Sequence, residues 1–241
     1  MGIYFGVEKT HLAVAVDGES GSGKTGLAGR IAAAYGIVCV PTGKMYRAVA
    51  VLTNRRGKRM EDSIADAIEI AQKVEFTFVD GRMVADGEDL TDEIGTKEVG
   101  QTVSYFAKIE EVRAALVPVQ RKMACAQPSV MEGRDITSVV MPDADVKLYV
   151  EAKLENRASW RFAELPETEK RRRSLAEVQR ELAARDESDK NRSIAPLIRV
   201  QGALDIRSDD NGSAEETAKR VQMLIEDVCA AYGVRPVGVS V

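Results

Sequence analysis

Between an apolar run, Leu12-Ala-Val-Ala-Val16, and an alanine-rich stretch, Leu27 to Tyr35, the chain reads Gly18-Glu-Ser-Gly-Ser-Gly-Lys-Thr25. This is a complete P-loop with a strand before it and a helix after it, the setting in which such a loop works. Backbone N–H groups of Gly18, Glu19, Ser20, Gly21, Ser22 and Gly23 can wrap a β-phosphate, and the helix presents its positive end. Lys24 reaches the β- and γ-phosphates, and Thr25 supplies a hydroxyl for magnesium. A chain built this way must place a strand, a tight loop and a helix in sequence. That points to an α/β fold binding a nucleoside triphosphate.

Gly21-Ser-Gly-Lys-Thr-Gly26 is also a literal Gly-x-Gly-x-x-Gly, the dinucleotide fingerprint. That fingerprint needs an acidic residue about twenty positions on, to hold a ribose hydroxyl. Here the second strand, Ile37 to Val40, runs into Pro41-Thr42-Gly43, with no carboxylate. The triphosphate reading prevails.

Strand and helix signals alternate from Leu12 onward, as in a parallel sheet covered on both faces. A helix is predicted from Lys44 to about Asn54, a basic turn over Arg55 to Arg59, and a helix from Glu61 to Gln72. Val74 to Val79, the Asp80-Gly81 turn and Met83 to Ala85 then predict a small antiparallel hairpin. Helices are predicted over Gly100–Lys108 and Glu110–Ala126. Strands follow at Ser129–Met131 and Val146–Val150, then charged helical sequence from Leu154 to Lys190. A strand at Ala203–Ile206 and a C-terminal helix from near Ser213 complete the scheme, with 234–241 lacking a core-forming pattern.

The 241 residues suffice for one large domain with a buried core. A net charge of −4 argues against nucleic acid or an anionic membrane as partner. No apolar run reaches the roughly twenty residues of a membrane span, and no signal peptide is evident. Cys39, Cys125 and Cys229 read as buried reduced thiols of a cytoplasmic protein; a monomer is expected. His11, the only histidine, precedes the first strand, which excludes histidine catalysis at the loop.

Phosphoryl transfer needs neutralisation of spreading negative charge, and arginine binds phosphate oxygens bidentately. Arg47, in Thr42-Gly-x-x-Tyr46-Arg47, follows the second strand, and Arg134, in Glu132-Gly-Arg-Asp135, follows the strand at Ser129. Both sit at carboxyl ends of parallel strands, where ligands bind. Arg185-Asp186-x-x-Asp189-x-x-Arg192 closes the charged helix. Taken singly, Arg113 could be a solvated helix face, Asp135 and Asp189 helix caps, and Arg157 a partner of Glu151 or Glu155.

Together these segments resemble the bacterial cytidylate kinase family of nucleoside monophosphate kinases, from about Leu12 to about Val228. The resemblance rests on Asp17-Gly-x-Ser-Gly-Ser-Gly-Lys-Thr25, Thr42-Gly-Lys-Met-Tyr-Arg47, Val112-Arg113, Glu132-Gly-Arg-Asp135, Met141-Pro-Asp-Ala144 and Arg185 to Arg192 with Ala195-Pro-Leu197. It implies a P-loop kinase fold, with a five-stranded parallel sheet flanked by helices. The core would span about 11–54, 103–153 and 193–233, with a monophosphate-binding insert at about 55–102 and a lid at about 154–192. It implies transfer of the ATP γ-phosphoryl group to CMP or dCMP, with Mg²⁺. By position, Thr42, Arg47 and Arg134 would grip the acceptor phosphate. Ser104, Arg113 and Asp135 would read the cytosine edge. Arg185 and Asp189 would hold the ribose, with Arg192 between base and phosphates. Arg157 and Arg161 would swing from the lid onto the phosphates.

Some positions depart from the family pattern. Pro41 stands where an Asp is usual, which removes an acceptor beside the metal; Asp17 or Glu132 could take over. Thr137 replaces a Gly, Trp160 replaces a lid arginine, and Ser188 and Lys190 stand where arginine is frequent. Two rival readings remain open at this point: a kinase for another acceptor, and a nucleotide-binding regulator without turnover. A GTPase fits poorly, since Asp209-x-x-Gly212 lies in a late turn and no Asn-Lys-x-Asp motif exists.

Overall fold

The computed structural model describes residues 3–4, 7–8, 11–79, 81–209, 219, 221–227 and 230. Two compact units result, Met1–Cys39 with Gln127–Val241, and Val40–Ala126. The strands and helices in chain order are β1 (Ile3–Tyr4), β2 (Val7–Glu8), β3 (Ala13–Gly18), α1 (Lys24–Tyr35), β4 (Val38–Pro41), α2 (Gly43–Asn54), α3 (Ile64–Lys73), β5 (Phe76–Val79), β6 (Arg82–Ala85) and β7 (Glu88–Asp89). There follow α4 (Lys97–Phe106), α5 (Glu110–Ala126), β8 (Ser129–Gly133), β9 (Val146–Glu151), α6 (Leu154–Ala163), α7 (Glu167–Lys170), α8 (Leu175–Lys190) and β10 (Leu204–Arg207).

The first unit is organised on a five-stranded sheet ordered β10-β9-β3-β8-β4. β3 is central, parallel to both β8 and β9, and every one of its residues is buried. That explains the unbroken apolar run at Leu12 to Val16, because a strand covered on both faces shows no alternation. Leu27, Ile31, Leu148 and Ile206 pack with it in one core, joined by Val221 and Ile225 of the helical residues 221–227. The start expected for that last helix, near Ser213, lies outside the described residues, as do Cys229 and 234–241. Cys39 and Cys125 are not in a disulfide and are half-buried, where buried thiols were expected.

Several boundaries move, each for a local reason. β3 extends to Asp17 and Gly18, because the ladder continues through Asp17 with Gly133 and Tyr149 and through Gly18 with Val150. β8 likewise runs to Gly133, so Glu132 is a strand residue and Arg134 the first beyond it. α1 starts at Lys24, three residues earlier than the apolar pattern suggested, after Gly23 at φ 83. The charged stretch resolves into α6, α7 and α8, and α8 opens on a reciprocal Ser174–Glu177 capping box. Ile136–Val140 forms a π-helical turn with no sequence signal of its own.

The second unit packs α2, α3, α4 and α5 with the small sheet around Met45, Val49, Ile70, Phe76, Phe106 and Leu116. It therefore takes in α2, α4 and α5 besides the 55–102 insert, since one apolar core unites them. Its sheet has three strands where a hairpin was predicted: β7 pairs with β6. β7 is two exposed acidic residues, too short for a period-two pattern. The helix predicted at Glu61 opens instead as a 3-10 turn, Met60–Ser63, before α3.

Candidate functional site

Gly18 leaves β3 where only glycine fits: a Cβ there would lie 2.1 Å from the Val150 carbonyl oxygen. Gly21 and Gly23 adopt φ of 72° and 83°, left-handed conformations that turn the chain into α1 at little steric cost. The Ser208 hydroxyl, just beyond β10, donates to the Ser22 carbonyl at 2.7 Å and braces the loop. Ser208 was not foreseen, since a serine after a strand carries no signal of its own.

Lys24 is buried, and its ammonium donates to the Glu19 carbonyl oxygen at 3.1 Å. Burial lowers its pKa to about 7, helped by the positive charges of Arg134 and Arg185 and opposed by Glu132 and Asp189. These four side chains thus share one electrostatic neighbourhood with the loop lysine. An anionic group arriving there would restore the ammonium form.

Thr25 donates its hydroxyl to Glu132 Oε1 at 3.0 Å. Glu132, buried at the end of β8, is therefore the carboxylate that faces the Thr25 hydroxyl. Asp17, the other candidate substitute for the acid missing at Pro41, is fully committed elsewhere. Its carboxylate accepts from Ile136 N–H (2.8 Å), Thr137 N–H (2.7 Å) and the Thr137 hydroxyl (2.6 Å). Burial pushes Asp17 up to about 6, although those three donors pull the other way. The threonine that departs from the family pattern thus adds a hydrogen bond to the segment carrying Arg134 and Asp135.

Arg134 Nε donates to Asp189 Oδ2 at 2.8 Å, with both side chains largely buried. Arg192 Nη2 approaches Asp135 Oδ1 at 3.6 Å, and its Nε donates to the Ala195 carbonyl. Asp135 precedes the π-turn without capping it through its side chain, and Asp189 sits in the last turn of α8. The strand end at β8 and the end of α8 are therefore cross-linked through two arginine–carboxylate pairs. Arg185 is half-buried one turn before Asp189.

In the second unit, Thr42 is buried ahead of α2, and Arg47 donates to the Ile94 carbonyl at 2.7 Å. Ser104 is half-buried on α4. Arg113 is no solvated helix face: it is buried, with its guanidinium 5.6 Å from the Tyr46 ring centroid. On α6, Arg157 is buried and Arg161 is exposed, paired with Glu164. Arg157 meets neither Glu151 nor Glu155 across a helical turn. It pairs with Glu19 and Asp186.

A buried P-loop lysine, a loop threonine facing a strand-end carboxylate, and arginines held by carboxylates on one parallel sheet define a P-loop phosphotransferase. The family model for cytidylate kinase matches residues 14–227. Cytidylate kinase from Clostridioides difficile (strain 630) is 37% identical, covering 90% of this chain and 96% of its own length. That from Desulfitobacterium hafniense (strain Y51) is 40% identical, covering 91% and 94%, and that from Fervidobacterium nodosum is 36% identical, covering 91% and 98%. The chain belongs to the cytidylate kinase family.

Proposed function

We propose that the chain is an ATP-dependent (d)CMP kinase, transferring the γ-phosphoryl group of ATP to CMP or dCMP. The observation that carries this reading is the family match running through every element of the site, together with the Thr25–Glu132 contact that makes up for Pro41. The rival reading of a regulator without turnover rests on Pro41 and the thinned lid; Glu132 would supply the carboxylate that Pro41 lacks.

The loop amides and Lys24 hold the donor β- and γ-phosphates. An acceptor phosphate oxygen attacks the γ-phosphorus, and the bond to the β–γ bridging oxygen breaks, leaving ADP and CDP. No general base is required, because the acceptor phosphate is already anionic. The donor set of one hydroxyl and one carboxylate suits Mg²⁺, a hard cation that keeps several waters. Thr25 would bind the ion and Glu132 one of its waters, and the ion would neutralise charge across the β- and γ-oxygens.

The acceptor roles of Thr42, Arg47 and Arg134, the base-reading roles of Ser104, Arg113 and Asp135, and the ribose roles of Arg185 and Asp189 belong to this proposal, as does Arg192 on the phosphates. Asp135 would accept from the cytosine amino group, whereas uracil O4 would face it with repulsion. One mismatched polar contact in a buried site costs about 1–3 kcal/mol, or roughly ten- to a hundred-fold in rate. Thiols not joined in a disulfide at Cys39 and Cys125 suit a reducing compartment, and we place the protein in the cytoplasm, as a monomer. Among the described residues no helix is long and apolar enough to cross a membrane. A coupled assay of ADP formation with ATP against CMP, dCMP, UMP and AMP tests the reading. Turnover with CMP and dCMP well above UMP is expected; equal kcat/KM for CMP and UMP would sink the base-reading set.

A further inference from the structure

Arg157 is a heavily committed side chain. Its Nε donates to the Ala152 carbonyl (2.9 Å) and its Nη1 to the Ser20 carbonyl (2.9 Å) and Asp186 Oδ2 (2.5 Å), while Nη2 pairs with Glu19 Oε2 (3.1 Å). Asp186 Oδ1 in turn accepts the Ser20 N–H at 2.8 Å. Both backbone polar groups of Ser20 are thus bound by helices α6 and α8. Glu19 is gripped a second time, by Lys190 at 2.7 Å. The loop also packs on this arginine sterically, since a Cβ on Gly21 would sit 3.7 Å from Arg157 Cβ.

α6 and α8 are themselves joined through Ala158, Val178 and Leu182, so the mould that holds residues 19–21 is a rigid helix pair. A guanidinium with this many acceptors has no freedom to swing onto a phosphate without breaking the mould. Stability alone does not ask for charge here, because buried ion pairs are often no better than a packed apolar cluster. What charge adds is direction: it fixes where the Ser20 peptide points, and with it the amides that follow.

We infer that Arg157 and Asp186 are positioning residues that hold the donor loop in its phosphate-binding shape, and that α8 divides its labour within one turn. Asp186 serves the donor through Ser20 and Arg157. Asp189, three residues on, serves the acceptor side through Arg134. Arg161, exposed on α6, is then the lid arginine left to meet phosphate.

The inference rests on the kinase reading only for its acceptor arm, so the donor arm is measured without an acceptor. Calorimetric titration of the full chain with ATP and Mg²⁺ gives the donor Kd, and steady-state kinetics give the CMP KM. Arg157→Lys and Asp186→Asn should weaken ATP binding about tenfold or more, with the CMP KM within about threefold of the parent. Asp189→Asn should show the opposite split. Unfolding midpoints without nucleotide separate a misplaced loop from a poorly folded chain. ATP affinity unchanged in both donor-side variants overturns the inference, as does the same split for the Asp186 and Asp189 variants. Should the two donor-side variants fail to fold, Glu19→Gln decides. It removes the pairs to Arg157 and Lys190 at the partly exposed edge of the mould, and a weakening of ATP binding of about threefold is expected, no change overturning the inference. A parent chain that binds ATP but does not phosphorylate CMP would refute the kinase reading and leave the donor arm standing.

Discussion

Two arginine–carboxylate clusters, one in each unit, look alike in sequence and differ in every physical respect. In the second unit Arg55 pairs with Glu88 and Glu93, and Arg56 with Asp66 and Glu69, all but Asp66 at the surface. In the first, Arg157 is 5% exposed and joins Glu19 and Asp186, themselves 14% and 8% exposed. Water already solvates the outer cluster and salt screens it, so it contributes little. The inner cluster has given up its water and depends on each partner, so removing one leaves a stranded charge. The surface pairs link the end of α2 to β7 and α3, whereas the buried cluster lies against Glu19 and Ser20 of the P-loop.

The largest effect should come from Arg157→Ala, which takes the guanidinium away from Glu19 and Asp186 and should cost about 3–5 kcal/mol of folding stability, read from urea unfolding. A loss no greater than that of Arg55→Ala would erase the contrast between the clusters. Glu132→Gln removes the carboxylate facing Thr25. It should lower kcat about ten- to a hundred-fold, equivalent to about 1–3 kcal/mol, and raise the magnesium needed for half-maximal rate. On the proposed role of Glu132, Pro41→Asp should improve neither quantity, and a clear gain would show that the metal still lacks a partner.

Thr137→Val deletes one of three donors to Asp17 and should cost about 1 kcal/mol of stability while raising the CMP KM through Arg134 and Asp135. A variant altered in stability alone would make Thr137 a purely structural residue.

Lys24 sharpens the comparison through pH. Its folded pKa of about 7 lies below the ordinary 10.5, so between these values the unfolded chain binds more protons. Stability of the nucleotide-free protein from this group therefore rises with pH across that window. The unfolding midpoint of the parent relative to Lys24→Met should increase from pH 7 to pH 9, and a flat difference would mean an unperturbed lysine. The smallest effect belongs to Arg55→Ala, with an unfolding midpoint within about 2 °C of the parent and no change in either KM.

How much of this was legible in the chain varies residue by residue. The P-loop was, because its work is done by backbone and by glycines at fixed spacing: Gly21 and Gly23 take the positive φ that their identity permits. The α/β alternation was also legible, clearest at β3, which is buried on both faces and so reads as an unbroken apolar run. Arg134 was found by its place next to a strand. β7 and the π-turn at Ile136 were not, the one being two polar residues and the other a change of hydrogen-bond partner with no periodicity behind it.

The partners of the charges belong to the other kind of knowledge. Nothing local distinguishes Arg157 from Arg161, four residues apart on one helix, yet one is sealed against the loop and the other faces water. Nothing local told Glu132 from Asp17 as the carboxylate for Thr25. A hydrogen bond across 107 or 137 residues depends on which strand ends meet and which helix face turns inward. Backbone geometry is written in neighbouring residues, because steric limits act over a few bonds. The pairing of buried charges is settled only when the sheet has formed, since only then does the loss of water make one partner worth more than another.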